Sequence, residues 1–190
     1  MAHLSILGTG NMGQAIAAVA GRGGHDVHLV GHHDTTTELG DVVVLAVPYP
    51  AVADVLATRG EALAGKIVVD ITNPLNFETF DSLTVPADGS ATAEIAAALP
   101  QSRVLKAFNT TFAATLSSGT VGPLPTTVLI AGDDTDAKTE LAGIVTSGGL
   151  KAVDAGSLQR ARELEAIGFL QITLAAAERI SWTGGVGVVA

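Results

Sequence analysis

The chain contains no cysteine. That excludes disulfides, thiol redox chemistry and Cys-ligated metal or iron–sulfur centres. Positive charge is scarce: 10 Lys and Arg stand against 19 Asp and Glu, a formal net charge of −9. With no basic stripe to meet a phosphate backbone, no nucleic-acid partner is expected. No apolar run approaches the ~20 residues that span a bilayer, so no membrane partner is expected either. Met1-Ala2-His3-Leu4 runs straight into a strand, without the charged and apolar regions of a signal peptide, and a cytoplasmic location is expected. The histidines are His3, His25, His28, His32 and His33, and none lies in the second half of the chain.

What is abundant is small and apolar. Hydrophobic residues make up 47% of the 190 residues and charged residues 15%, a balance that suits an α/β fold with strands buried on both faces. The length suffices for one domain with a real core, and residues 1–190 are read as one. Short apolar runs at Leu4–Leu7, Val27–Val30, Val42–Val47, Ile67–Ile71, Val104–Phe108, Val128–Ala131 and Ala152–Val153 predict strands. Between them, helical spacing begins near Asn11, at Pro50, at Ala91, and after a cap formed by Asp133 with Asp136. Ser157 is expected to cap a long final helix reaching Ile180. The alternation predicts an α/β fold with a doubly wound, mostly parallel sheet. The stretch from Phe77 to Gly89 reads as a surface excursion.

The first strand runs into Gly8-Thr9-Gly10-Asn11-Met12-Gly13. In this G-x-G-x-x-G pattern Gly8 permits the turn, Gly10 lets the backbone approach a pyrophosphate, and Gly13 lets the helix pack against the sheet. The helix N-terminus adds free N–H groups and a partial positive charge. Because the motif follows a strand and opens an amphipathic helix, it predicts a Rossmann-like dinucleotide site.

An acidic residue closing the second strand would bind the ribose 2′-OH of NAD. That strand ends Val30-Gly31-His32-His33-Asp34, and the position at or near Gly31 is not acidic. NADP(H) is therefore the expected cofactor. His32, His33 and the Thr35 hydroxyl are candidates to meet its 2′-phosphate. Two other readings stay open: a polar turn in contact with water alone, and an Asp34 folded towards the ribose, which would favour NAD.

Three further strand ends carry polar or rigid clusters: Val47-Pro48-Tyr49-Pro50, Thr72-Asn73-Pro74-Leu75-Asn76 and Phe108-Asn109-Thr110-Thr111. Ligands lie over this edge of an open α/β sheet. Tyr49 is a candidate wall for the nicotinamide. Asn73, Asn109 and Thr110 are candidates to position a carboxamide, a ribose or a second ring, and helix capping is the competing role. No residue presents itself as a general acid or base. Lys106 lies within a strand, where its amine is expected to snorkel outwards. Direct hydride transfer between two planar rings needs no strong acid or base, so this poverty fits such a reaction.

Together these segments resemble the F420-dependent NADP oxidoreductase family and the cytosolic NADPH-binding domains of six-transmembrane metalloreductases. The resemblance rests on residues 8–13, Val47-Pro48-Tyr49, Asn73-Pro74-Leu75-Asn76, Val104-Leu105-Lys106-Ala107-Phe108-Asn109-Thr110, Asp154-Ala155-Gly156-Ser157-Leu158 and Ala161-Arg162-Glu163-Leu164-Glu165. It implies hydride transfer between NADPH and the deazaflavin F420. It also implies Ser-Arg as 2′-phosphate ligands, where this chain has His32-His33 in a shortened loop. A flavin is the related choice of acceptor. Arg160 and Arg162 are candidates for the anionic tail of F420. Residues 182–189 resemble the family's glycine-bearing C-terminus. The helix from Ser157 is expected to serve the acceptor site or a homodimer contact. Two other functions remain: a reductase of a small imine or carbonyl, and a non-catalytic NADP(H) sensor.

Overall fold

The computed structural model describes residues 1–34 and 38–189, so Thr35 lies outside the described residues. β1 (His3–Leu7), α1 (Asn11–Arg22), β2 (Asp26–Val30), β3 (Val42–Leu45), α2 (Tyr49–Leu63), β4 (Ile67–Asp70), α3 (Ala91–Ala98) and β5 (Arg103–Lys106) follow in order. Then come α4 (Ala113–Ser118), the short β6 (Thr120–Val121) and β7 (Leu124–Pro125), β8 (Thr127–Gly132), α5 (Thr135–Ser147) and β9 (Lys151–Gly156). A 3₁₀ turn (Leu158–Arg160) leads into α6 (Ala161–Ala176).

The seven-stranded sheet has the order β2-β1-β3-β4-β5-β8-β9. Every residue of β3 and β4 is buried, which is why Val42–Val44 and Ile67–Val69 read as continuous β-branched runs. Leu4, Ile6, Val44, Leu105 and Phe108 pack on one face with Ile16 and Val19 of α1, Leu116 of α4 and Leu141 of α5. On the other face Val43, Leu45 and Val68 meet Val52 of α2 and Ile95 of α3. Strand order reverses at β1 and β3, and the crevice there faces the glycine-rich turn.

The sheet is mostly parallel, as expected; the exception is β5 and β8, which pair antiparallel through Leu105–Gly132 and Lys106–Ala131. The chain gains room for this reversal from α4 and the β6–β7 hairpin, two elements too short to leave a periodicity in the sequence.

The last third differs in three further respects. Asp134, not Asp133, caps α5, accepting a hydrogen bond from the Ala137 N–H at 2.8 Å. Asp133 instead accepts from the Leu158 N–H at 2.9 Å and so fixes the entry to the final helix, while the Ser157 side chain makes no cap bond. α6 stops at Ala176 rather than Ile180. Glu178 takes a φ of +56° and the Arg179 N–H returns to the Leu174 carbonyl at 2.8 Å, a left-handed closure with no glycine to announce it.

The Asp154-Ala155-Gly156 segment forms the end of β9. Asp154 Oδ1 accepts from the Gly156 N–H at 2.8 Å and from Lys138 Nζ at 2.9 Å. The Lys138 bond, then the Gly156 bond, hold this carboxyl below its ordinary range. Its contribution to stability is therefore present above that range and is lost as pH falls through the lowered value. The side chain is 58% exposed, so screening keeps the effect small. Asp154→Asn should cost at most about 1 kcal/mol near neutrality, with the difference closing on acidification in urea titrations. A difference that widens in acid would contradict this.

Candidate functional site

The glycine-rich turn is built by contacts that no other residue permits. Gly8 has φ +122°, and a Cβ on it would lie 2.1 Å from the Ala46 carbonyl oxygen. A Cβ on Gly13 would lie 2.2 Å from the Gly8 carbonyl oxygen. At Gly10 a Cβ would meet nothing within 4 Å, so that position opens outwards. The N-termini of α3 and α5 are capped by Ser90 and Asp134 and carry acidic residues in their first turns. α1 has neither a side-chain cap nor an acidic residue there. Its N-terminal dipole and N–H groups are left available to an anion. Thr9 and Asn11 are exposed beside it, and Met12 is half-buried.

Two asparagines from neighbouring strand ends bond each other. Asn109 Nδ2 donates to Asn73 Oδ1 at 2.9 Å and to the Leu164 carbonyl at 2.8 Å. Asn73 Nδ2 donates to the Asn109 carbonyl at 3.1 Å. Both hydrogens of Asn109 are thus used, which fixes the orientation of its amide. Its Oδ1 is buried without a partner among the described residues. A tight turn aims Asn109: the N–H of Asn109 bonds the Ala107 carbonyl at 2.8 Å across Phe108, whose φ is +62°. That conformation is strained for a bulky residue, and the burial of the Phe108 ring in the core holds it.

α6 reaches this pair through Gly168, where a Cβ would lie 2.2 Å from Asn73 Oδ1. About one turn earlier on α6, Glu165 meets Lys106 of β5, which is wholly buried and does not snorkel. Its amine donates to Asp70 Oδ2 at 2.9 Å, Glu165 Oε1 at 2.9 Å and the Thr72 carbonyl at 2.6 Å, which satisfies all three hydrogens. Glu165 Oε2 also accepts from the Ala91 N–H at 2.9 Å, at the start of α3. The reason for the correction is that α6 covers this end of the sheet and supplies a second carboxylate. The amine thus finds its partners inside, and none of its donors remains for substrate chemistry.

A cavity of about 440 Å³ opens over the ends of β4 and β5, beside the start of α1. Asn11, Met12, Asn73, Asn109 and Thr111 contribute to its floor and rim. Phe77, Phe112, Ile172 and Trp182 wall it. No Asp, Glu, His, Lys or Tyr is among its lining residues. Trp182, 52% exposed, packs on Phe112 with ring centroids 4.9 Å apart. Gln171 ties the tail down, accepting from the Val186 N–H at 2.8 Å and donating to the Thr110 carbonyl at 3.3 Å.

Other sequence candidates are placed elsewhere. Thr110 is buried and does not line the cavity. Val47 and Tyr49 pack towards α2 and α3, and Pro48 is exposed at the α2 N-cap. The Tyr49 hydroxyl donates to Glu94 Oε2. Burial first, and then that bond, push its pKa upward, so it stays protonated. His32 and His33 are exposed on the turn after β2, stacked edge to face at 5.0 Å, with Gly31 half-buried before them. The Asp34 carboxylate lies 3.9 Å from His28 Nε2, back along β2. Arg160 and Arg162 line a different cavity, of about 370 Å³, together with Asp88 and Asp133. The two cavities share no lining residue. No helix among the described residues is long and apolar enough to cross a membrane, and no His/Cys/Asp/Glu group among them is arranged to hold a metal ion.

The family model "NADP oxidoreductase coenzyme F420-dependent" matches residues 28–74, from β2 to the Asn73 loop. An F420-dependent NADP reductase of Methanothermobacter marburgensis is 36% identical over 155 residues, covering 77% of this chain and 68% of that protein. The chain belongs to the F420-dependent NADP reductase family. The reductase of the same name from Methanocaldococcus jannaschii is 34% identical over 139 residues, 71% of this chain and 62% of that protein. The chain thus spans about three-fifths to two-thirds of these relatives' length. The fold recurs in a crystal structure from Arthrobacter sp. FB24, with a TM-score of 0.86, 24% identity and full coverage of both chains.

Within this family member, Gly168 and Gln171 are site-building residues that sequence reasoning did not single out, whereas Glu165 and Trp182 lie in segments that carried the resemblance. Gly168 carried one faint signal: a glycine inside a helix, unfavourable by about 1 kcal/mol against alanine, implies a close approach. Gln171 carried none, because its partner lies 61 residues away in the chain.

Proposed function

We propose that this chain binds NADP(H) along residues 8–13 and the turn at Gly31-His32-His33, and catalyses hydride exchange with a deazaflavin of the F420 type. NADPH supplies the hydride and the deazaflavin takes it up with one proton from water, giving NADP⁺ and the reduced deazaflavin. The observation that carries the proposal is the cavity beside α1: large enough for a planar ring, walled by Phe77, Phe112 and Trp182, and lined by no acid or base. The chain's residues then act by position alone. The N-terminus of α1 holds the pyrophosphate. Asn109 Oδ1, its amide hydrogens already committed, accepts an N–H from the nicotinamide carboxamide or the acceptor ring. Asn73 keeps Asn109 in that orientation.

A reductase of small imines or carbonyls would need a proton donor at the cavity, and Lys106 is enclosed by Asp70 and Glu165. A sensor that binds only the dinucleotide would need no second space of this size. The family's named activity in two curated relatives supports the deazaflavin reading.

The test is anaerobic mixing of the full chain with NADPH and F420. Loss of the visible band of the oxidised deazaflavin is expected, with quenching of the emission of Trp182, the only tryptophan. Gly10→Val serves as the control: it should stay folded, since a Cβ there meets nothing within 4 Å, and lose turnover. Absence of turnover with F420, FMN, FAD and ferric chelates would reject the proposal.

A further inference from the structure

We propose that the buried Asp70–Lys106–Glu165 cluster holds an uncompensated negative charge behind the cavity floor, and that this charge favours the oxidised, cationic nicotinamide over the reduced, neutral one. The inference rests on the reading of the chain as an NADP(H)-dependent oxidoreductase. All three side chains are buried from solvent. Every carboxylate oxygen accepts from an N–H. Asp70 Oδ1 accepts from the Thr72 N–H at 2.8 Å and Oδ2 from the Lys106 amine at 2.9 Å. Glu165 Oε1 accepts from the same amine at 2.9 Å and from the Thr92 N–H at 3.3 Å, and Oε2 from the Ala91 N–H at 2.9 Å. These are the bonds of two carboxylates, and a single ammonium stands between them. The N-terminus of α3, beneath Glu165, offsets about half a charge, so the balance stays negative. Joining β5 to α6 needs only Lys106 and Glu165; Asp70, on β4, adds the second carboxylate.

The cluster is bonded to both halves of the asparagine pair. Lys106 donates to the carbonyl of Thr72, the residue before Asn73, at 2.6 Å. Asn109 donates to the carbonyl of Leu164, the residue before Glu165, at 2.8 Å. The cavity that Asn73 and Asn109 line has no charged side chain among its lining residues. Fixed charge therefore acts on it from behind the floor, through protein, where salt and water screen it little. The same field reaches Tyr49: after burial and Glu94, Glu165 and Asp70 add to the upward push on its hydroxyl. Loss of a hydride turns the neutral dihydronicotinamide into a cation. A negative charge held in place beforehand stabilises that cation, and the positive charge developing on the way to it, without reorganising.

The experiment is a pair of fluorescence titrations, NADPH and NADP⁺, against the full chain, Asp70→Asn and Glu165→Gln. Each variant removes one negative charge at nearly constant volume, and each breaks a different set of bonds. Unit charges on the order of 10 Å apart interact through protein by enough to move an equilibrium about tenfold. Both variants should therefore weaken NADP⁺ about 10-fold relative to NADPH, and by similar factors. The readout is the ratio of the two affinities, because loosening of α6 alone would weaken both forms alike. Retained NADPH binding shows that the site is intact. The inference is overturned if the ratio stays within about twofold of the unaltered protein's in either variant, if it moves in favour of NADP⁺, or if both forms are lost together. Failure of the unaltered protein to bind either form would overturn the cofactor reading itself, a distinct result.

Discussion

Lys106→Met should lower the unfolding free energy by about 3–5 kcal/mol, the largest stability effect expected of any single change in this chain. The substitution nearly preserves volume, so cavity formation contributes little. What it removes is the cation between Asp70 Oδ2 and Glu165 Oε1, each 2.9 Å from the amine. Two carboxylates then remain buried, bridged only by the Thr92 hydroxyl, whose Oγ1 lies 2.7 Å from Asp70 Oδ2 and 3.2 Å from Glu165 Oε1. Domains of this size are stable by about 5–15 kcal/mol, so the loss would take a third or more of the total. Urea denaturation measures it. Converting Asp70 to Asn and Glu165 to Gln in the same chain should restore part of the loss, because the uncompensated charge is then gone. A cost below about 1 kcal/mol for Lys106→Met would show that the triad is not what fastens α6 to the sheet.

Gly168→Ala should have the largest effect on activity. In an ordinary helix this change is favourable by about 1 kcal/mol. Here the new methyl carbon would lie 2.2 Å from Asn73 Oδ1 and 3.0 Å from the Asn109 carbonyl oxygen. Asn73 must leave its bond with Asn109, or α6 must lift from the strand ends. Either movement displaces the Asn109 amide by a fraction of an ångström or more at the floor of the cavity. A misplacement on the order of 1 Å costs about 100-fold in a reaction that depends on positioning. The expected result is a fall in kcat/KM of about 10- to 100-fold, with a smaller loss of NADPH affinity, since the change does not touch the pyrophosphate contacts at the glycine-rich turn. Turnover within a factor of about two of the unaltered protein would remove the Asn73–Asn109 pair from the account.

The amino-acid sequence by itself determined the βαβ unit. Gly8, Gly10 and Gly13 combine with local hydrophobic periodicity, and local signals need no partner to be read. It also determined the buried central strands, because continuous apolar runs such as Val42–Leu45 suit strands covered on both sides. The absence of an acid at Gly31 was legible for the same reason.

What only the tertiary structure decided depends on groups far apart in the chain. The sequence shows Lys106 as an oddly charged residue in an apolar strand. Only the fold shows that Glu165, 59 residues later, makes it an interior anchor. The antiparallel β5–β8 pair follows from α4 and a hairpin too short to leave a period. Charges and amides act through distance in space. Sequence spacing reports that distance within one helix or strand, and the sheet alone sets it between them.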